Sequence, residues 1–175
     1  MSLSFGLVYI RSIFSKNRNE YINNYYRRQG MVIGEDVHIF CELMSREPYL
    51  IKIGDNVTIS TDVKFLTHDA SMGTLCGREK ISDICGEINV GDNTFIGAGS
   101  ILMYGVTIGE RCIIGAGSVV TKSIPDGEIW GGNPARKIGE TDEFVKKNSS
   151  FGLQLHGLNM EERKKVILNS SLKCR

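Results

Sequence analysis

Between Ile88 and Ile124 the chain keeps a beat of six. Every sixth residue from Val90 is aliphatic: Val90, Ile96, Leu102, Ile108, Ile114 and Val120. The next position holds Gly91, Gly97, Met103, Gly109, Gly115 and Thr121; four after each anchor come Thr94, Ser100, Val106, Cys112, Ser118 and Ile124, mostly small. Ile, Leu and Val make up about a quarter of the chain, so six anchors in register by chance has odds on the order of one in four thousand per frame. A period of six fits neither the three-and-four spacing of an amphipathic helix nor plain strand alternation. It fits a parallel β-helix of hexapeptide units, each unit making one short side of a coil and then turning.

Stacking supplies the driving force. Anchors point into the coil, and the next rung lies about 4.8 Å above, so equivalent side chains form an apolar column. Each buried anchor contributes roughly 1.5–3 kcal/mol. Glycine after the anchor suits a corner, because it accepts backbone angles that a Cβ forbids. One coil cannot bury its own interior, so neighbouring coils and covered ends are required.

The same architecture extends upstream. Ile33, Gly34, Val37 and Ile39 open it; the frame slips across "CELMSREPYLIK", where Pro48 and polar residues predict a bulge or loop. It resumes at Ile53, Gly54, Val57, Ile59 and Phe65. The separation from Phe65 to Val90 is no multiple of six, and "HDASMGTLCGREKISDICGE" is an insertion. Insertions bulge from one edge of a solenoid and often carry binding function. Downstream, Pro125-Asp126-Gly127 is a turn signature that ends the repeat, and "GEIWGGNPARKI" reads as an extended crossing segment.

The chain ends frame this coil. Leu3, Leu7, Ile10, Ile13 and Phe14, then Tyr21, Ile22, Tyr25 and Tyr26, are helically spaced, and Gly30 is a stop signal. Residues 1–30 are therefore expected to form a helical cap, 31–138 a β-helix with a loop insertion at about 68–87, and 139–175 a helical extension. That extension should start near Thr141 and hold a second helix over Asn159–Leu168. The formal charge of +1 over 175 residues argues against a polyanion-binding role, so no nucleic-acid partner is expected. Residues 1–30 are locally basic, however, with Arg11, Lys16, Arg18, Arg27 and Arg28 against Glu20. Peripheral contact with a membrane or a lipid-linked sugar is the functional alternative to a cap there. No apolar run reaches the roughly 18 residues of a membrane span, and the opening "MSLSFGLVYI" lacks the basic start of a signal peptide. Five cysteines (Cys41, Cys76, Cys85, Cys112, Cys174) show no metal-knuckle spacing. Cys76 and Cys85 flank a loop where a disulfide or metal clip is one alternative; the plain expectation is a reduced, cytoplasmic protein.

The gapless run "INVGDNTFIGAGSILMYGVTIGERCIIGAGSVVTKSIPDGEIWGGNPARKI", ending in the specific motif "GNPAR", resembles the hexapeptide-repeat acyltransferases. Specifically, it resembles their galactoside, maltose, xenobiotic and polysaccharide O-acetyltransferase branch. "EPYLIKIGDNVTIS" and "KFLTHD" point to its sugar-modifying side. The resemblance implies an all-β solenoid, a left-handed parallel β-helix with N-terminal and C-terminal helices, forming a homotrimer that uses acetyl-CoA. Handedness comes from the resemblance alone, since crossovers between parallel strands are usually right-handed.

Of three histidines, His38 falls in a repeat corner and His156 in the tail, while His68 sits where the ladder breaks. Acetyl transfer to a hydroxyl needs a base near pH 7, and imidazole has the unperturbed pKa for it. The position of His68 in "FLTHD" matches the family's catalytic histidine. A carboxylate should orient its other ring nitrogen; Asp69, Asp83 and Glu87 are the candidates, and counting back from the gapless block favours Asp83. The resemblance further places Phe95 as an aromatic lining the donor site. It puts Ala98 and Ala116, each between glycines, beside the pantetheine arm, and Thr121, Lys122 and Arg136 near the nucleotide end. Gly139 stands where one branch has a second arginine, and Lys137 is its substitute. Cations there would meet the phosphates of acetyl-CoA.

The expected activity is acetyl-CoA-dependent O-acetylation of a sugar hydroxyl in surface polysaccharide or glycolipid, by direct transfer with His68 as base and no metal. The alternatives are N-acetylation of an amino sugar or antibiotic, and a non-catalytic scaffold. A γ-class carbonic-anhydrase-like trimer would need three histidines meeting on zinc, and these three lie far apart in sequence.

Overall fold

Strands of two or three residues separated by tight corners are what a six-residue beat can make, and the molecule is built from them. The structure, a computed structural model, describes residues 3–43 and 45–170. Two helices, α1 (Leu3–Ile13) and α2 (Arg18–Arg27), come first. The first coil carries β1 (Val32–Ile33) and β2 (His38–Ile39), and the second β3 (Ile51–Ile53), β4 (Thr58–Ile59) and β5 (Lys64–Leu66). The insertion has structure of its own: β6 (His68–Asp69), α3 (Ser71–Cys76) and β7 (Ile84–Cys85), with β6 and β7 antiparallel. The third coil carries β8 (Ile88–Val90), β9 (Phe95–Ile96) and β10 (Ile101–Met103); the fourth carries β11 (Thr107–Ile108), β12 (Ile113–Ile114) and β13 (Val119–Val120).

These strands form three parallel sheets that the chain visits in rotation. The first is β1-β3-β8-β11, the second β2-β4-β9-β12, and the third β5-β10-β13. Register follows the anchors. Ile33, Ile53, Val90 and Ile108 stack in one column, Ile39, Ile59, Ile96 and Ile114 in a second, and Phe65, Leu102 and Val120 in a third. All are buried. The small positions are buried too, and their hydroxyls are satisfied by backbone. Thr94 Oγ1 donates to the Gly109 carbonyl at 3.0 Å and Ser100 Oγ to the Gly115 carbonyl at 3.1 Å. A buried hydroxyl without such a partner would be costly.

The structure corrects three expectations. Ile124 pairs with Ile108 and so takes an anchor's place in the first sheet, which makes the last corner shorter than a full hexad. The repeat does not end at Pro125: β14 (Glu128–Gly132) lies parallel to β12 with Trp130 opposite Ile114. It then turns back through β15 (Ala135–Glu140) as an antiparallel hairpin, which ends the second sheet. The glycines after the anchors are also required for a different reason. Left-handed angles belong to other corner positions, such as Asn56, Asn93 and Arg111 at φ of 52–57°. At Gly97 a Cβ would sit 2.5 Å from the Ala116 nitrogen, so close approach of the next rung forbids a side chain.

Side chains of α2 take up the carbonyls of the first coil. Arg27 donates through Nε to Ile33 O at 2.8 Å and through Nη2 to Gly34 O at 2.6 Å, and Asn23 Nδ2 donates to Val37 O at 3.0 Å. The buried Tyr26 hydroxyl accepts from Leu43 N at 2.8 Å. These bonds occupy a sheet edge that would otherwise offer itself to another chain. Cys41, Cys76, Cys85 and Cys112 carry free thiols, so no disulfide joins the 76–85 loop; Cys174 lies outside the described residues.

A second compact unit runs from Asp142. It contains most of α4 (Thr141–Asn148) and α5 (Met160–Asn169), the latter opened by a reciprocal cap between Asn159 and Glu162. Thr141 itself belongs to the first unit, where its hydroxyl donates to Gly127 O at 3.0 Å. Among the described residues no helix is long and apolar enough to cross a membrane.

Candidate active site

β5 ends the second coil at Leu66, and the chain leaves the ladder through Thr67 and His68. One coil below, residues 45–47 bulge from the same edge before the short 3₁₀ turn Pro48–Leu50. The two departures face each other. His68 Nδ1 lies 2.8 Å from Glu47 Oε2, and Thr67 Oγ1 donates to the same oxygen at 2.8 Å. Ser45 Oγ stands 2.8 Å from Thr67 Oγ1 and accepts from Glu47 N at 3.1 Å, which ties the bulge to the strand end.

Desolvation pushes the Glu47 carboxyl up, but the bonds from Thr67 and His68 and the charges of His68 and Arg46 outweigh it, and it is held below its ordinary value. A carboxylate in that state only accepts. Nδ1 therefore carries the hydrogen of that contact, which in the neutral ring leaves the lone pair on Nε2. His68 and Glu47 side chains are 29% and 18% exposed, so the pair is partly shielded yet reachable.

Asp83 does not take the place expected for it. It is exposed on the β6–β7 hairpin, while Glu47 fills the Nδ1 position. Asp69 accepts from Ser71 N at 2.8 Å, a bond that holds its carboxyl low. Glu87 is bound through both oxygens by Lys52 Nζ at 2.9 Å, which lowers it likewise. Glu47 is the residue the sequence reading missed. One signal could have found it: the offset from Ile39 to Ile59, carried back from His68, lands on Pro48, its neighbour.

A cavity of about 460 Å³ opens beside the pair, with Tyr25, Tyr26 and Gln29 of the α2 region on one side and Ser45, Arg46 and His68 on the other. The other histidines stand apart. His38 Nδ1 contacts Asn19 Nδ2 at 2.7 Å, and His156 is exposed. Among the described residues no group of three His, Cys, Asp or Glu is placed to hold a metal ion.

The expected donor residues lie along the coil's outside. Phe95 is 43% exposed on the second sheet, between Thr58 and Ile113. Ala98 and Ala116 stack at the corners between second and third sheets, each followed by a glycine in the left-handed region, Gly99 at φ 69° and Gly117 at φ 70°. A Cβ on either glycine would meet nothing within 4 Å, so this edge is smooth and open, a shape that suits a long flexible ligand. Thr121 and Lys122 are exposed on the edge between third and first sheets, the one His68 leaves from. Arg136, on β15, is exposed and donates to Ala135 O at 2.8 Å. Lys137 is committed elsewhere, to Glu128 at 2.7 Å and to Glu140, so it reaches a phosphate only by leaving both. Within one chain, then, the histidine and the two alanines occupy different edges of the coil.

A three-sheet parallel coil with a histidine–carboxylate pair at a break in its ladder has the form of a hexad-built transferase. The bacterial transferase hexapeptide (six repeats) family matches residues 87–122. The chain is 45% identical over 148 residues to Protein CapG of Staphylococcus aureus, which spans 82% of this chain and 85% of that protein. A hexapeptide-repeat-containing acetyltransferase of Vibrio cholerae, solved with acetyl coenzyme A, is 31% identical with a TM-score of 0.57, over 65% of this chain and 61% of its own. A maltose O-acetyltransferase of Clostridium difficile is 30% identical with a TM-score of 0.51, over 72% and 78% respectively. The chain belongs to the hexapeptide-repeat transferase family and is an acyltransferase of that kind.

Proposed function

We propose that the protein transfers an acetyl group from acetyl-CoA directly to a sugar hydroxyl, as a cytoplasmic homotrimer of left-handed coils. The observation that carries this reading is the 2.8 Å contact between His68 Nδ1 and Glu47 Oε2 at the mouth of a sugar-sized cavity. Glu47 holds the imidazole with Nε2 turned to the acceptor. His68 Nε2 takes the hydroxyl proton as that oxygen attacks the thioester carbonyl, a backbone N–H takes the oxyanion charge, and the proton passes from His68 to the departing thiolate.

The acceptor enters between α2 and the 45–47 bulge, where Tyr25 offers a ring face and Gln29 and Arg46 offer donors to hydroxyls. The donor lies along Phe95, Ala98 and Ala116, with Thr121, Lys122 and Arg136 toward its nucleotide end. Because these alanines and His68 occupy different edges of one coil, the reading needs a second copy to bring its alanine edge to the first copy's histidine. Three copies around an axis satisfy every edge, which is why a trimer is part of the proposal.

The test is an acceptor screen with labelled acetyl-CoA against neutral sugars, oligosaccharides and amino sugars. An ester is released by mild alkali and an amide is not. Alkali-labile label on a carbohydrate supports the reading. Alkali-stable label, or no thiol release with any acceptor, rejects it.

A further inference from the structure

Helix α1 has an inner and an outer face, and among the described residues only the inner one is occupied. Phe5 and Ser12 are buried, and the Phe5 ring packs 6.1 Å from Tyr25 and 5.8 Å from Tyr26. On the outer side Leu7, Ile10, Ile13 and Phe14 are 53%, 56%, 59% and 86% exposed. Leu7, Ile10 and Phe14 are spaced three and four apart, so they make one stripe. A lone exposed leucine would mean nothing, but a continuous apolar stripe on one helix face marks an interaction surface.

The charge beside the stripe says what kind. No acid occurs among the first nineteen residues, while Arg11, Lys16 and Arg18 fall in that span. Arg11 and Lys16 are exposed. Arg18 is held against α1 by its guanidinium, 4.3 Å above the Tyr9 ring. Arg27, further on, is spent on Glu20 at 2.7 Å. An apolar face flanked by cations with no anions complements a surface that is apolar beneath and anionic on top.

We propose that the outer face of α1 docks the protein onto an anionic phospholipid bilayer. Leu7, Ile10 and Phe14 enter the headgroup boundary while Arg11, Lys16 and Arg18 lie among the phosphates. The inner face of the same helix rests through Phe5 on the tyrosines that wall the cavity beside His68, so the cavity lies within about one helix diameter, roughly 10 Å, of the docked surface. That geometry suits an acceptor carried on a lipid, an extension that rests on the proposed acetyl transfer; docking itself does not.

The test is co-sedimentation of the full chain with phosphatidylcholine vesicles, with and without about a third phosphatidylglycerol. Binding should favour the anionic vesicles at least tenfold and fall as salt is raised from about 0.1 to 0.5 M. Phe14→Asp, at a position outside the helix and almost fully exposed, should weaken binding roughly tenfold or more. Reversing Arg11 and Lys16 to Glu should weaken it at least about 20-fold, since each cation is worth roughly fivefold. Circular dichroism and melting temperature should stay as in the parent for both variants. Wild-type protein left in the supernatant, equal binding to neutral vesicles, or binding that both variants retain would each overturn the proposal. A change of oligomeric mass in Ile10→Asp would overturn it as well, by assigning the stripe to contacts between copies. Because the readout is sedimentation, failure here leaves the acetyl-transfer reading standing, and failure of the acceptor screen leaves this one standing.

Discussion

Replacing Glu47 by Gln tests the site at its most informative point. The amide keeps the shape and can still accept from Nδ1 and Thr67, so the fold and the ring orientation persist; what disappears is one negative charge. In the proposed reaction His68 becomes cationic as it takes the hydroxyl proton, and Glu47 Oε2 is 2.8 Å from its ring nitrogen. Charges about 4 Å apart attract by about 4 kcal/mol near a protein surface and about 1 kcal/mol in water. With side chains 29% and 18% exposed, an intermediate figure of about 2 kcal/mol applies, which corresponds to roughly 30-fold in rate. Thiol release followed with a chromogenic disulfide should show kcat lowered by that order, with the KM for acetyl-CoA unchanged. A purely structural role for Glu47 would leave kcat near that of the parent, whatever the change in melting temperature. Full turnover in Glu47→Gln beside an inactive His68→Ala would refute the pairing as a catalytic device.

Other outcomes follow from the same geometry. His68→Ala should reduce turnover by roughly 10²–10⁴-fold and leave acetyl-CoA affinity by calorimetry within about twofold; lost affinity with high residual turnover would invert the assigned roles. Gly97→Ala puts a Cβ 2.5 Å from Ala116 N and 2.6 Å from Ile114 O, both backbone atoms that cannot step aside, whereas Gly115→Ala meets its nearest atom at 3.5 Å. The first should cost at least about 2 kcal/mol and lower the melting temperature by roughly 4–8 °C, while the second should stay near the parent. Because the Glu47 carboxyl is held below its ordinary value, the stability it contributes is complete above about pH 4.3 and lost as pH falls through the lower folded value. Wild-type and Glu47→Gln melts should therefore differ near neutral pH and converge as the pH falls below about 4.3.

The coil was legible because a column of stacked anchors leaves a period, and a period survives in one dimension. Val90 to Val120 read as buried and are buried. The place of His68 at the edge of the ladder was legible for the opposite reason, since it stands where the period breaks. What stayed hidden was whatever depends on contact across coils. Glu47 meets His68 only because two irregular departures, a short bulge and a long insertion, leave the same edge one rung apart, and the insertion's own carboxylates sit nearer in sequence and drew the assignment to Asp83. The glycines show the same limit. Their positions could be read from the beat, but the cause, a neighbouring rung's backbone inside Cβ distance at Gly97, belongs to the next coil. Lys137 read as a cation for the donor's phosphates, but Glu128 on the neighbouring strand and Glu140 on its own strand claim it. In a solenoid the partner of any residue lies about one coil away, so once the offset between anchor columns is known, the search for a histidine's carboxylate belongs one coil back before it belongs next door.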